Sequence, residues 1–223
     1  MPPSKLTNPL ALAVLACLAE RPMHPYEMAT TLRERGTDES IKLNYGSLYT
    51  VVDTLQQREL IDAQEVSREG RRPERTVYRI TVAGRQKLVE WLTELLSKPA
   101  KEFTQFEAGL SLMPVIPPSD VVVLLRARCQ QLEQEIVRLE EGCRLARERS
   151  RARLFAIEGE YRIALRRAEL EFSAGLADDI ESGALEGTEW WTRVHELLAT
   201  APANSAVSDV MPLPYGAAQA EVG

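Results

Sequence analysis

Residues that carry enzyme chemistry are scarce in this sequence. It contains two histidines, three cysteines and 6% aromatic residues in 223 positions. The cysteines are odd in number and widely spaced, which argues against a disulfide framework. Cys129 and Cys143 have no histidine near them in sequence, so the spacing of a metal site is missing and no metal or cofactor is expected. There is no glycine-rich phosphate loop. The one candidate acid–base pair is His24 with Glu27, and a single histidine just ahead of a helix start more ordinarily caps or packs. Nothing here reads as an enzyme. No apolar run is long enough to cross a bilayer, and the opening Met1-Pro2-Pro3-Ser4-Lys5 does not lead into an apolar core with a small-residue cleavage site. A soluble, cytoplasmic protein with no membrane partner is the expectation.

An excess of positive charge is also lacking. The chain has 27 Lys and Arg against 33 Asp and Glu, a net charge of −6. Such a chain repels polyanions beyond a Debye length, which argues against non-specific phosphate binding. The charge is not evenly spread, however. Residues 1–92 hold thirteen basic against twelve acidic groups, and the remainder fourteen against twenty-one. Within the first part, Arg68 to Lys87 has seven basic residues and only Glu69 and Glu74 in opposition. Gly70 and Pro73 punctuate a turn there, and Thr76, Tyr78 and Ile80 alternate with Val77 and Arg79. That pattern predicts a hairpin, roughly Ile61–Val66 with Arg75–Thr81, carrying an arginine-rich tip.

Just before it, Leu48, Val52 and Leu55 recur at helical spacing behind Asn44, a good N-cap. The opposite face of this helix presents Tyr45, Gly46, Ser47, Tyr49, Thr50 and Asp53, with no Lys or Glu of the kind that fills an idle solvent face. A helix with short or aromatic hydrogen-bonding groups on one side can enter the major groove of DNA. Followed by a basic hairpin, it has the layout of a winged helix-turn-helix.

The motifs His24-Pro25-Tyr26-Glu27, Gly46-Ser47-Leu48-Tyr49, Leu60-Ile61, Arg71-Arg72-Pro73 and Tyr78-Arg79-Ile80-Thr81-Val82-Ala83-Gly84, in this order, resemble the PadR family of transcriptional regulators. The resemblance covers the first hundred residues or so densely and the later helices more loosely. Pro25 and Glu59 stand where the family usually has Gly, and Thr50 where Pro often follows the Tyr. Asp53-Thr54 replaces a pair that is frequently basic. In a left-handed helix-end position Glu59 would cost about 1 kcal/mol relative to Gly. The resemblance implies a dimeric repressor released from its operator when a small aromatic or drug-like compound binds.

In chain order, Thr7 or Asn8 caps a first helix with Leu10, Val14, Leu15 and Leu18 inward, and Pro22 ends it. A second helix runs from about Pro25 to Arg35 with Met28 and Leu32 inward. Thr81 caps a fourth helix with a stripe of Leu88, Trp91, Leu92 and Leu95. Phe103, Phe106, Leu110 and Met113 predict a short bridging helix. Val122, Leu125, Cys129, Leu132, Ile136, Leu139, Cys143 and Ala146 then alternate by threes and fours, as a coiled-coil seam does. A less regular helix carries Ile157, Tyr161, Ala164, Ala168, Phe172 and Leu176, and a last one, capped by Thr188, carries Trp190, Trp191, Val194, Leu197 and Leu198. The fold class is therefore mainly α. A winged helix-turn-helix domain spans 1–98, a bridging segment 99–119 and a helical dimerisation domain 120–200. The Ala- and Pro-rich tail, 201–223, has too few large apolar groups to order itself.

The expected partners are double-stranded DNA with an inverted-repeat operator and a second copy of the chain. Tyr26, Lys42, Arg68 and Arg75 are the candidate phosphate contacts, Tyr26 through the resemblance. Tyr45, Ser47, Tyr49 and Thr50 would face base edges, and Arg71 and Arg72 the flanking minor groove. Dimerisation would use Val122, Leu125, Cys129, Leu132, Ile136 and Leu139. Trp91, Trp190 and Trp191 are candidates for contact with a planar ligand, against the commoner reading of core or dimer aromatics. The competing function is a helical scaffold or adaptor that uses the winged domain for protein contact; a DNA affinity insensitive to salt would favour it.

Overall fold

The structure, a computed structural model, describes residues 8–37, 40–41, 43–64, 76–150 and 152–211, apart from the side chains of Arg149, Ser150 and Phe155. The chain divides into two compact units, Met1–Glu102 and Phe103–Gly223.

The first unit is built around α1 (Pro9–Glu20). Asn8 caps it, its side chain accepting from the Leu10 N–H at 3.0 Å. Every residue from Leu10 to Leu15 is buried, as are Cys17 and Leu18. This is wider than the expected stripe, and a helix apolar on nearly all sides belongs inside a core. α2 (Pro25–Glu34) buries Met28, Ala29 and Leu32. α3 (Tyr45–Gln57) buries Leu48, Val51, Val52 and Leu55.

α3 ends in a Schellman motif: the Leu60 N–H donates to the Leu55 carbonyl at 3.0 Å and the Glu59 N–H to that of Gln56 at 2.9 Å. Glu59 holds the left-handed position, with φ 57°. Buried Leu55 and Leu60 flank that motif. β1 (Ile61–Gln64) then pairs antiparallel with β2 (Val77–Ile80), Ile61 opposite Ile80 and Asp62 opposite Arg79. The described strands are shorter than the sequence suggested, and the predicted extension through Val66 and Arg75 lies outside the described residues. A contact across the sheet had no counterpart in the sequence pattern. Met23 and Tyr78 exchange two backbone hydrogen bonds, each 3.0 Å. That bridge ties the approach to α2 onto the hairpin.

α4 (Val82–Ser97) starts at Thr81, whose Oγ accepts from the Gly84 N–H at 2.9 Å. Gly84, Leu88 and Trp91 face inward, but Leu92 and Leu95 are exposed, against expectation. Leu92 lies about 100° round the helix from Trp91, and from Leu95 onward the helix has left the core.

In the second unit, α5 (Gln105–Ser111) and a 3-10 turn (Met113–Val115) precede α6 (Pro118–Ser150). A 3-10 turn at Arg153–Ala156 leads into α7 (Ile157–Ser182), followed by α8 (Thr188–Thr200). Arg126 pairs with Asp178 and Glu181 (both 2.6 Å), Glu135 with Arg166 (2.9 Å) and Arg147 with Glu160. Ascending positions on α6 thus meet descending ones on α7, which defines an antiparallel hairpin. Phe106 and Met113 pack against a core of Val121, Val122, Leu125, Ala177, Ile180 and Trp191.

Two expectations for the long hairpin of this unit fail. The seam side chains Val122, Leu125, Cys129, Leu132 and Ile136 are buried within the single chain, with Leu139 half-buried. They pack the chain's own hairpin, so they are not the surface left over for a second copy. On α7 the inward positions are Ile163, Ser173, Ala177 and Ile180, with Arg166 and Leu170 half-buried between them. Of the residues read from sequence as the stripe of this helix, Ile157, Tyr161, Ala164, Ala168 and Phe172 are exposed, and Leu176 alone packs against the core.

α8 begins at Gly187, in a left-handed conformation with φ 93°, and the Thr188 hydroxyl donates to the Leu185 carbonyl at 2.7 Å instead of capping. In the region expected to be an unstructured tail, Val207–Val210 form one helical turn (α9), whose Asp209 carboxylate accepts from the Ala206 N–H at 2.7 Å. Residues 212–223 lie outside the described residues.

Candidate nucleic-acid interface

The N-terminus of α3 is set by Asn44, whose side-chain oxygen accepts from the Ser47 N–H at 2.7 Å. With Leu48, Val51, Val52 and Leu55 committed to the core, the helix turns Tyr45, Tyr49, Thr50 and Asp53 outward, and Ser47 is half-buried. Tyr45 and Tyr49 are 39% and 46% exposed, so their phenols are available at a surface that aliphatic packing does not require. The Thr50 hydroxyl donates to the Gly46 carbonyl at 3.0 Å. Its proton is therefore spent inside the helix, and toward a ligand Thr50 offers lone pairs and a methyl group.

α2 supplies the neighbouring groups. His24 and Glu27 form a capping box: His24 Nδ1 accepts from the Tyr26 N–H at 3.1 Å, and the Glu27 carboxylate from the His24 N–H at 2.9 Å. The geometry assigns this pair to helix capping rather than to acid–base chemistry. Tyr26 is 57% exposed, and its ring stacks on that of Tyr45, centroids 6.1 Å apart with 12° between planes. Arg33, absent from the sequence-based set, donates to Tyr45 Oη at 2.7 Å and holds its guanidinium carbon 4.7 Å from the ring centroid. Only the i, i+7 spacing of Tyr26 and Arg33 along α2 could have pointed to it.

Behind α3, Tyr78 is half-buried against the core. Burial first, then the nearby Asp53 and Tyr49, push its phenol up from the ordinary value. Part of the basic run already has partners within the chain. Arg79 lies 3.6 Å from Asp62 across the strands, Arg85 donates to the Ala19 carbonyl at the end of α1 (3.2 Å), and Lys87 pairs with Glu90 at 3.2 Å. These three have structural employment. Lys42, Arg68, Arg71, Arg72 and Arg75, the remaining basic candidates, lie outside the described residues.

The other candidates are accounted for by packing. Trp91 is buried in the core of the first unit. Trp191 is buried and donates through Nε1 to the Pro114 and Ile116 carbonyls at 3.2 and 2.8 Å. Cys17 and Cys129 are buried and Cys143 half-buried, and burial raises the Cys17 thiol pKa. Among the described residues no three His, Cys, Asp or Glu side chains are grouped to hold a metal, and no helix is long and apolar enough to cross a membrane.

No curated protein matches the chain significantly in sequence. Among solved structures, PadR of Bacillus subtilis in complex with operator DNA superposes with a TM-score of 0.60 at 14% identity, over 78% of this chain and 99% of that one. The same protein in complex with p-coumaric acid gives 0.58 at 12% identity, over 75% and 93% of the two chains. AphA, a virulence activator of Vibrio cholerae, gives 0.58 at 16% identity, over 78% and 98%. These likenesses establish the fold. Residues 14–90 match the family described as "Transcriptional regulator PadR-like family". They include all of α2 and α3, both strands and most of α1 and α4, so this chain carries a PadR-like transcriptional regulator domain with a winged-helix fold.

Proposed function

We propose that the protein is a sequence-specific DNA-binding regulator that acts as a dimeric repressor. The observation that carries this reading is α3: four aliphatic side chains fix it in the core, and Tyr45, Tyr49 and Thr50 face outward beside the hairpin. A helix so presented fits the major groove, whose base edges offer donors and acceptors to such groups. Ser47, half-buried on the same turn, joins them. Tyr26, Lys42, Arg68 and Arg75 are assigned to phosphates, and Arg71 and Arg72 to the minor groove beside each half-site. The Bacillus subtilis neighbour was solved with operator DNA, which supports the DNA-binding reading.

A dimer placing two such helices on one duplex calls for an inverted repeat with half-sites one helical turn, or a multiple, apart. With the α6 seam consumed inside the chain, the dimer contact is assigned to the exposed apolar row Ile157, Tyr161, Leu165 and Phe172 on α7. Release by a small aromatic effector is proposed by analogy with the neighbour solved with p-coumaric acid. The test is footprinting on the DNA upstream of the protein's own gene, with and without p-coumaric acid. A protected inverted repeat that opens on adding the compound is expected. Protection without symmetry would overturn the dimer, and no protection of any duplex would overturn DNA binding.

A further inference from the structure

The Arg33–Tyr45–Tyr26 cluster joins the two helices of the helix-turn-helix through side chains alone, at a surface where neither packing nor helix capping calls for it. Tyr45 is the first residue of α3, and Tyr26 and Arg33 come from α2. A guanidinium has donors only, so in the 2.7 Å contact Tyr45 Oη must be the acceptor. The phenol's own O–H is then left to donate away from Arg33. A free tyrosine hydroxyl could instead rotate and serve either as donor or as acceptor. The ring is held as well, by the guanidinium 4.7 Å from its centroid and by the Tyr26 ring at 6.1 Å with 12° between planes. Side-chain entropy that a loose tyrosine would lose on binding is lost beforehand.

We propose that Arg33 is a positioning residue for DNA recognition. It fixes Tyr45, and through it the stack on Tyr26, with the Tyr45 hydroxyl presented as a hydrogen-bond donor to an acceptor on the duplex. This rests on the DNA-binding reading above, and it makes a different statement from a direct contact. A direct Arg33–phosphate contact would act independently of the Tyr45 hydroxyl. A positioning residue acts only through it.

The experiment is a double-mutant cycle on the full-length protein, with a duplex that the wild type selects from a random-sequence pool. Arg33→Ala should weaken binding about tenfold, the scale of one charge-assisted hydrogen bond. In a Tyr45→Phe background the same change should cost about twofold or less, since the hydroxyl it positions is gone. Arg33→Lys keeps the charge but not the planar fork, and should fail to restore affinity. The salt dependence of binding should stay that of the wild type in all three.

Full additivity of the two effects, a salt slope reduced by about one unit, or rescue by lysine would each overturn the proposal in favour of a direct ionic contact. Wild-type affinity in Arg33→Ala would overturn it outright. A DNA-free readout separates positioning from binding: the Tyr45 ring resonances should move on Arg33→Ala, because the ring leaves its stack on Tyr26. Should the wild type select no duplex, the DNA-binding reading falls, and unmoved Tyr45 resonances would then remove the positioning role as well.

Discussion

Gly84 in α4 lies against the backbone of Leu60 so closely that a Cβ on it would stand 2.0 Å from the Leu60 carbonyl oxygen and 2.8 Å from the Ile80 side chain. The obstacle is backbone, and it is pinned from the other side. The Thr81 N–H donates to that same carbonyl at 3.1 Å, and the Thr81 hydroxyl is shared between the Glu59 carbonyl at 2.9 Å and that of Leu60 at 3.1 Å. Gly84→Ala must therefore separate α4 from the end of α3. A loss of about 3 kcal/mol is expected from overpacking a fixed contact, with a fall of about 10 °C or more in melting temperature. Circular dichroism melts check it, and a wild-type melting temperature would show that the two backbones are not held together.

Glu59 sits one residue before that contact in a conformation that favours glycine, φ 57°. The Schellman hydrogen bonds from Glu59 and Leu60 require this conformation. Glu59→Gly should therefore stabilise the first unit by about 1 kcal/mol, less whatever the more flexible unfolded chain takes back. A destabilised variant in denaturant titration would show that strain at Glu59 is not what glycine relieves.

How much of the fold was legible in the sequence followed from how local the cause was. Asn44 and Thr81 cap as read, because a cap needs only a side chain and an N–H two or three residues on. Gly187 displaced Thr188 as the cap of α8 because glycine alone takes φ 93° freely. α7 was misread for a different reason. Its inward row runs through Arg166 and Ser173, which look like surface residues, while Tyr161 and Phe172 look like core and face out. The Met23–Tyr78 bridge and the Arg33–Tyr45 hydrogen bond join positions distant in sequence, with no periodicity to announce them.

The exposed row on α7 and the buried seam on α6 should answer differently to a charge. Ile136→Asp puts an unpaired carboxylate inside the hairpin, at a cost of several kcal/mol, and should unfold the second unit. Phe172 is 53% exposed in the single chain, so Phe172→Asp should leave helix content and melting of the monomer intact. If the row is the dimer contact, burying the exposed half of Phe172 contributes on the order of 1 kcal/mol from each copy, and removing it should raise the dimer dissociation constant about tenfold or more. Sedimentation equilibrium reads both variants. An unchanged dimer in Phe172→Asp would place the contact elsewhere.

Glu160 binds two arginines where α6 and α7 approach the turn of the hairpin. Hydrogen bonds from Arg153, then from Arg147, pull its carboxyl from the ordinary 4.5 down to about 2. The folded value lies below the unfolded one, so the stabilisation is complete above about 4.5 and is lost as the pH falls through 2. Glu160→Gln should melt below the wild type at neutral pH, and the two curves should converge toward pH 2. The side chain is reached by solvent, so the gap will be small and will shrink with salt. A constant gap across that pH range would mean that the Glu160 charge contributes nothing.

Wing and recognition helix should separate by their salt signatures. Arg71 and Arg72 are assigned mainly as charges, so replacing both with Ala should weaken binding to every sequence. The slope of log K against log[salt] should flatten by about one unit for each arginine charge withdrawn from the duplex. Any preference for AT-rich flanks should vanish with them, because a narrow minor groove attracts the arginines through its negative potential. On α3, Thr50→Ala and Ser47→Ala remove neutral groups and should leave the salt slope alone. Discrimination among half-site bases should fall by about 1–3 kcal/mol for each base edge that is no longer touched. The Thr50 hydroxyl already donates to Gly46, so its contribution is limited to acceptor and methyl contacts, and Thr50→Val should retain whatever part the methyl supplies. Salt titrations on matched and mismatched operators, run for both classes of variant, decide the assignment. A wing variant that kept the full salt slope, or helix variants with unchanged base preference, would reverse the roles given to the two elements.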